Sequence, residues 1–195
     1  LGTLAIQLVR HGGGTPVAVV SSEERANYCI SLGAVAINRS HFPMLDYSIV
    51  NNDAALNVWT EEVRRFGKAI WAAVGERRAP RIVLEHSGMS TLPASLFLCD
   101  SGGMVVTCGA TTGYLAQIDL RYLWMRQKRL QGSHFATPGD CEAFLDLVAK
   151  GAVLPCLGQT FEFAEVGKAH QLLSENRQSP GSMVVLVNAR YSSSA

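Results

Sequence analysis

The sequence predicts an α/β fold built on a doubly wound parallel sheet. Three observations carry that reading. Apolar runs of strand length, at residues 16–20, 35–37, 81–85 and 103–109, alternate with segments of helical period. The runs show little polar alternation, as expected of parallel strands buried on both faces. The first strand, helix and strand fit into about twenty residues, a βαβ half-unit.

Each element has its own signal. In residues 1–9, LGTLAIQLV, the residues Leu4, Ile6, Leu8 and Val9 suit a helix buried on most of its surface. The run His11-Gly12-Gly13-Gly14 ends it, because glycine accepts the left-handed backbone of a helix end. A phosphate loop would need its glycines before the helix, where free N–H groups point at an anion. Pro16-Val17-Ala18-Val19-Val20 predicts a strand, and Ser21-Ser22-Glu23-Glu24 predicts a helix start. That helix closes on Gly33, and Val35-Ala36-Ile37 predicts the next strand. Residues 41–53 show no period and read as an excursion. Val63, Phe66, Ile70 and Val74 recur at spacings of three and four, which predicts a helix over 59–75. Residues 81–85 predict a strand, 92–98 a helix, 103–109 a strand, 119–127 a helix and 129–135 an extended segment. Thr137 as N-cap with Pro138 at the first position predicts a helix running to Lys150-Gly151. A strand over 160–163, a helix over 164–176, a last strand over 183–187 and a frayed polar tail over 191–195 complete the reading.

A doubly wound sheet places its first strand at the centre, in the order 3-2-1-4-5-6. Here the first helix has no strand before it, and the glycine-rich turn that should precede it is reduced to Leu1-Gly2. The expectation is therefore a longer polypeptide, cut within its first βα unit, whose central strand lies before Leu1. A chain lacking that strand should expose unpaired edges and be prone to aggregate.

Composition narrows the function classes. The 195 residues are 48% apolar and 17% charged, which excludes a disordered chain. Seventeen Lys and Arg against sixteen Asp and Glu give no electrostatic case for nucleic acid or a membrane surface. No apolar run approaches the roughly 20 residues of a spanning helix, and no signal peptide is visible. Five widely spaced cysteines, with no C-x-x-C, suggest buried thiols in a cytoplasmic protein rather than disulfides or a metal site.

Several segments together resemble one family. They are Val19-Val20-Ser21-Ser22-Glu23-Glu24-Arg25, Arg65-Phe66-Gly67-Lys68-Ala69-Ile70-Trp71, Pro80-Arg81-Ile82-Val83-Leu84-Glu85-His86 and the run from Gly102 to Tyr114. The most specific is DLRYLWMRQKRLQGSHF, Asp119 to Phe135. Together they resemble the crotonyl-CoA carboxylase/reductase family of the medium-chain dehydrogenase/reductase superfamily, over nearly the whole chain. The resemblance implies a Rossmann-like cofactor domain over residues 1–136. It also implies a C-terminal segment, 137–195, that returns to a substrate domain outside this chain. It implies NADPH-dependent reductive carboxylation of a 2-enoyl-CoA to an alkylmalonyl-CoA, in a homo-oligomer. The alternatives are a non-carboxylating enoyl-thioester reductase and a catalytically silent nucleotide-binding module.

The candidate residues fall into five groups. Ser21, Ser22, Arg25 and Arg39 follow the strands where a dinucleotide's adenosine ribose binds. Guanidinium and hydroxyl groups suit a 2′-phosphate, whereas a carboxylate repels it. The bland reading makes Ser22 an N-cap and the arginines solvated charges. Gly2 is the tail of the expected phosphate turn. Glu85, His86, Cys108, Gly109, Ala110 and Thr111 end two strands, where ligands bind in such sheets, and small Gly109 and Ala110 allow close backbone approach. Glu85 and His86 read either as an acid–base dyad or as strand-end hydrogen-bonding groups. A nucleophilic Cys108 lacks a visible activating partner. For His134 the resemblance implies a donor that orients CO2, as a fixed N–H can. For Arg121 and Tyr122 it implies contact with the adenosine phosphate of CoA; an interface rich in Arg and Trp is the competing reading.

Overall fold

The computed structural model describes residues 1–175 and 177–189. Apolar runs without alternation become short parallel strands, and the segments between them become helices, as expected. In chain order these are α1 (Gly2–His11), β1 (Val17–Val20), α2 (Glu23–Ser31), β2 (Val35–Asn38), α3 (Asp53–Val74), β3 (Ile82–Glu85), α4 (Leu92–Leu98) and β4 (Met104–Thr107). They continue with α5 (Leu120–Trp124), β5 (Arg129–Gly132), α6 (Pro138–Ala149), β6 (Leu157–Glu162), α7 (Val166–Ser174) and β7 (Ser182–Leu186).

Every strand pair is parallel. β1 pairs β2, β4 lies between β3 and β5, and β6 pairs β7. This is a Rossmann-like arrangement in which the β1–β2 pair, the β3–β4–β5 sheet and the β6–β7 pair are separate sheets. Among the described residues β1 and β3 each pair on one side only. Both keep apolar side chains in the open: Val19 is 51% exposed, Ile82 62% and Leu84 52%.

Helices cover both faces of the β1–β2 pair. Ala18, Val20 and Ala36 pack against Ile6 of α1 and Cys29 of α2. Val17 and Ile37, the alternate residues, pack against Phe66 and Ile70 of α3. Val63 and Trp59 carry α3 on to Ala94 of α4, whose Leu96 meets Val105 of β4. Gln7 of α1 fastens the C-terminal segment: its amide donates to Leu154 O at 3.0 Å and accepts from Leu154 N at 2.8 Å.

The structure departs from the sequence reading in several places. α1, read as buried on most of its surface, buries only Ile6 and leaves Leu8 and Val9 exposed, and β6 begins at Leu157 rather than Thr160. The excursion after β2 is ordered as three single 3-10 turns that set Phe42, Leu45 and Tyr47 against α3. α3 begins at Asp53, six residues before the Trp59 start read from its apolar period, and is capped by Asn52, whose side chain accepts from Ala55 N. α5 stops at Trp124 because Gln127 takes a left-handed backbone, φ 51°. The thiols are not uniformly buried: Cys29 and Cys99 are, but Cys108 and Cys141 are exposed. The expected end of the seventh helix at Asn176 and the tail over 191–195 lie outside the described residues.

One buried cation holds the end of α4. Lys128, 8% exposed, donates from Nζ to Leu96 O at 2.5 Å and Phe97 O at 3.3 Å. Burial pushes its pKa below the usual lysine range, yet among the described residues no other side chain caps these carbonyls at the end of a short helix. Lys128→Met should therefore lower stability by about 1–3 kcal/mol, the cost of orphaning buried acceptors. A denaturation midpoint unchanged from that of the unmodified protein would contradict this role.

Candidate active site

Because β1 to β5 are parallel within their sheets, the residues that follow them lie at carboxyl ends, where ligands bind in doubly wound folds. After β1, Ser22 caps α2 by accepting from Arg25 N at 3.3 Å. The same arginine turns its guanidinium to Ser21 Oγ at 3.0 Å. After β2, Arg39 is exposed. The intervening carboxylate of Glu23 accepts from Asn38 Nδ2 at 2.6 Å, with His41 Nε2 at 3.9 Å. Ser21, Arg25 and Arg39 thus share one strand-end corner. Gly2 opens α1, exposed, with nothing within 4 Å of where a Cβ would stand.

The second corner is built from the ends of β3 and β4. Glu85 is 4% exposed. It accepts from Ser87 N at 2.8 Å, Gly88 N at 3.2 Å, Thr91 Oγ1 at 2.7 Å and Ser95 Oγ at 2.5 Å. That is strand-end hydrogen bonding, the second of the two readings offered for it. His86 beside it is exposed. The loop after β3 is joined to the loop after β4: Thr112 N donates to Ser87 O at 2.8 Å, and Met89 N to Gly113 O at 3.2 Å. Glycine is required at two contacts. A Cβ on Gly109 would meet His86 O at 2.9 Å, and one on Gly88, with φ +90°, would meet Ala110 Cα at 2.8 Å. Cys108, Ala110 and Thr111 line this junction, Cys108 and Thr111 exposed.

His134 stands just beyond β5. Ser133 N donates to Thr107 O at 2.8 Å, which carries the ladder one residue past the strand. The imidazole is exposed and lies 3.9 Å, centroid to centroid, from the ring of Phe135.

Arg121 and Tyr122 belong elsewhere. Tyr122 lines a cavity of about 390 Å³ together with Arg64, Lys68, Trp71, Arg77 and Arg126, among others, whereas Arg121 is not among the lining residues and pairs with Asp119. Its remaining walls include Ala79 and Pro80 before β3, Cys99 to Ser101 before β4 and Lys128 before β5. The cavity is therefore at the amino ends of the strands, opposite the other candidates. Its cations on α3, at positions 64 and 68 with Trp71 a further turn on, were missed in the sequence. Their spacing of four and three was the available signal.

Asp119 caps α5 and holds Arg121, with Nη2 to Oδ2 at 2.6 Å. The guanidinium keeps that carboxyl below the usual aspartate range. A carboxyl depressed in the folded state contributes stability above its unfolded pKa and loses it as pH falls through the folded value. Acid titration should therefore release α5 below the usual aspartate range. The fluorescence of nearby Trp124 should report that step, and Asp119→Asn should abolish it. Persistence of the step in the variant would contradict the assignment.

Comparison with known proteins places this geometry. A family profile described as zinc-binding dehydrogenase matches residues 1–150. The crotonyl-CoA carboxylase/reductase of Cereibacter sphaeroides is 40% identical over 190 residues, 97% of this chain and 44% of that protein. The chain belongs to the zinc-binding dehydrogenase family. Among solved structures, a crotonyl-CoA carboxylase/reductase, AntE, in complex with NADP superposes with a TM-score of 0.93 at 52% identity, covering 98% of this chain and 48% of that one. The 2-octenoyl-CoA carboxylase reductase CinF, in complex with NADP and 2-octenoyl-CoA, gives 0.85 at 38%, covering 95% and 40%. The chain spans less than half the length of these relatives. The family's name raises the question of zinc. Among the described residues no three His, Cys, Asp or Glu side chains converge as a ligand set. The residues present do not fit a zinc ion, and no step is assigned to one.

Proposed function

We propose that this chain is the NADPH-binding part of an enzyme that reductively carboxylates a 2-enoyl-CoA to an alkylmalonyl-CoA. The observation that carries the reading is the polar corner after β1 and β2. Ser21, Ser22, Arg25 and Arg39 offer hydroxyls and guanidinium groups to a 2′-phosphate, and the nearby Glu23 carboxylate is engaged by Asn38. The joined loops after β3 and β4 fit the other half of the dinucleotide, because Gly88 and Gly109 let backbone approach closely. Support also comes from the relatives that carry NADP and an enoyl-CoA in their solved structures.

When bound, NADPH supplies the hydride for the β-carbon of the enoyl thioester. The chain's residues supply position. Ser21, Arg25 and Arg39 anchor the adenosine end, with Gly2 at the start of α1 near the phosphates. His86, Cys108, Gly109, Ala110 and Thr111 wall the crevice, and His134 holds CO2 by its N–H. Arg121, Tyr122 and the basic cavity beside them take the adenosine phosphate of CoA from a second subunit, since they face away from the hydride crevice.

Residues 1–136 form the cofactor unit and 137–195 the return segment. α6 has no fully buried residue and leaves Leu145 63% exposed, as a helix does that packs on another domain. An extended apolar strand supplied from outside residues 1–195 pairs between β1 and β3, whose open edges support it. The fully exposed edge strand β5 and exposed Tyr114, Leu115 and Trp124 support a homo-oligomer. No helix among the described residues is long and apolar enough to cross a membrane, and we place the enzyme in the cytoplasm.

The test is cofactor consumption. The whole enzyme mixed with crotonyl-CoA should oxidise NADPH and leave NADH nearly untouched. Equal use of both, or of neither, would overturn the reading.

A further inference from the structure

We propose that Glu85 is a positioning residue of the hydride crevice, acting through the two loops it ties together. The inference rests on the NADPH reading above. Glu85 ends β3 with its carboxylate inside the protein, 4% exposed. Its four partners all donate, and two of them, the N–H groups of Ser87 and Gly88, can do nothing else. The acceptor set of an ionised carboxylate matches this arrangement, and among the described residues no cation forms an ion pair with it. A hydrophobic neighbour would pack there at lower desolvation cost. What the carboxylate provides instead is a fixed shape for residues 86–91, tied to β3 at one end and to Ser95 of α4 at the other.

That shape passes on to the next loop. Ser87 O accepts from both Thr112 N and Thr112 Oγ1 at 2.8 Å, and Ser90 N and Oγ reach Thr112 Oγ1 at 3.1 and 3.0 Å. Gly88 and Gly109 bring the two backbones closer than any side chain permits. The loops after β3 and β4 therefore form one wall, with Glu85 behind it and out of reach of a ligand in front. Displacing such a wall by about 1 Å costs about 100-fold in rate where a reacting group must be aligned. The adenosine corner at β1 and β2 is a separate structure and should not register the change.

The experiment uses the whole enzyme with Glu85→Ala, Glu85→Gln and Thr112→Val. The side-chain amide introduced by Glu85→Gln can keep three donors on its oxygen and give its N–H to Ser95 Oγ, so this variant is the conservative rescue. Thr112→Val removes the side-chain bonds between the loops, keeps the two backbone bonds and leaves Glu85 in place, which guards against misfolding of the alanine variant. Three quantities are read: NADPH affinity, hydride transfer per bound NADPH, and amide exchange at Gly88, Met89 and Thr112. Glu85→Ala should keep NADPH affinity within about threefold while transfer per bound NADPH falls about 10- to 100-fold. Exchange should quicken in both loops. Glu85→Gln should recover most of the rate, and Thr112→Val should fall about tenfold. A purely structural Glu85 would lower the number of NADPH sites and leave transfer per occupied site unchanged, which would overturn the inference. Failure of the unmodified enzyme to bind NADPH would overturn the cofactor reading instead. Exchange at Thr112 then still decides the present inference, and unchanged protection in Glu85→Ala would refute the coupling.

Discussion

His134→Asn is expected to change which product the enzyme releases rather than whether it consumes cofactor. A group that orients CO2 acts after hydride transfer. NADPH oxidation with the enoyl-CoA should persist, the alkylmalonyl-CoA fraction should fall, and the simply reduced acyl-CoA should rise. Loss of one positioned donor sets the size at about 2–4 kcal/mol at most. Ser133 is held on the β4–β5 ladder, which leaves the exposed imidazole of His134 standing at the strand end. A structural histidine would lower the melting temperature and diminish both products in proportion. A proton donor to the enolate would spare carboxylation and lose reduction. Mass measurement of both products at saturating bicarbonate separates the three, and an unchanged ratio would remove His134 from the carboxylation site.

Replacing Arg25 and Arg39 with alanine should weaken NADPH by about 1–3 kcal/mol for each charged hydrogen bond lost, with little effect on NADH. The two cofactors differ only in the 2′-phosphate, so the difference between their affinities isolates the corner after β1 and β2. Arg25 is already oriented by Ser21, and its own backbone N–H caps on Ser22. Ser22→Ala should therefore act on α2 as well as on the cofactor, which makes the arginines the cleaner probes. Equal loss for NADPH and NADH would show that the guanidinium groups serve the fold.

Strands β1 to β4 and β7 were legible because each is an apolar run bounded by glycine or polar residues, whereas β5 and β6 are largely polar and their bounds were missed; Thr137-Pro138 gave the start of α6 outright. What the sequence concealed depends on local polar geometry. The start of α3 lies in residues 53–58, where Leu56 alone extends the apolar stripe of Trp59 and Val63 and Val58 is half exposed, so the Asn52 cap is the clearest mark of it. The turns over 39–49 are set by the side chains of Asn38 and Asp46, which accept from Ser40 N and Ser48 N. Candidates at strand ends were readable because a parallel sheet brings its carboxyl ends together. The cavity beside Tyr122 was not, since its walls come from α3, from residues 97–101 and from 122–128. For Glu85 the strand end was visible in sequence. The direction of its side chain, into the protein toward four donors, was not.

NADPH bound at these strand ends should drive reduction coupled to carboxylation. The most direct measurement is the product mass from the whole enzyme, NADPH and crotonyl-CoA in carbon-13 bicarbonate. The account predicts an alkylmalonyl-CoA carrying one labelled carboxyl carbon for each NADPH consumed. NADPH consumption that yields only unlabelled, saturated acyl-CoA would contradict it.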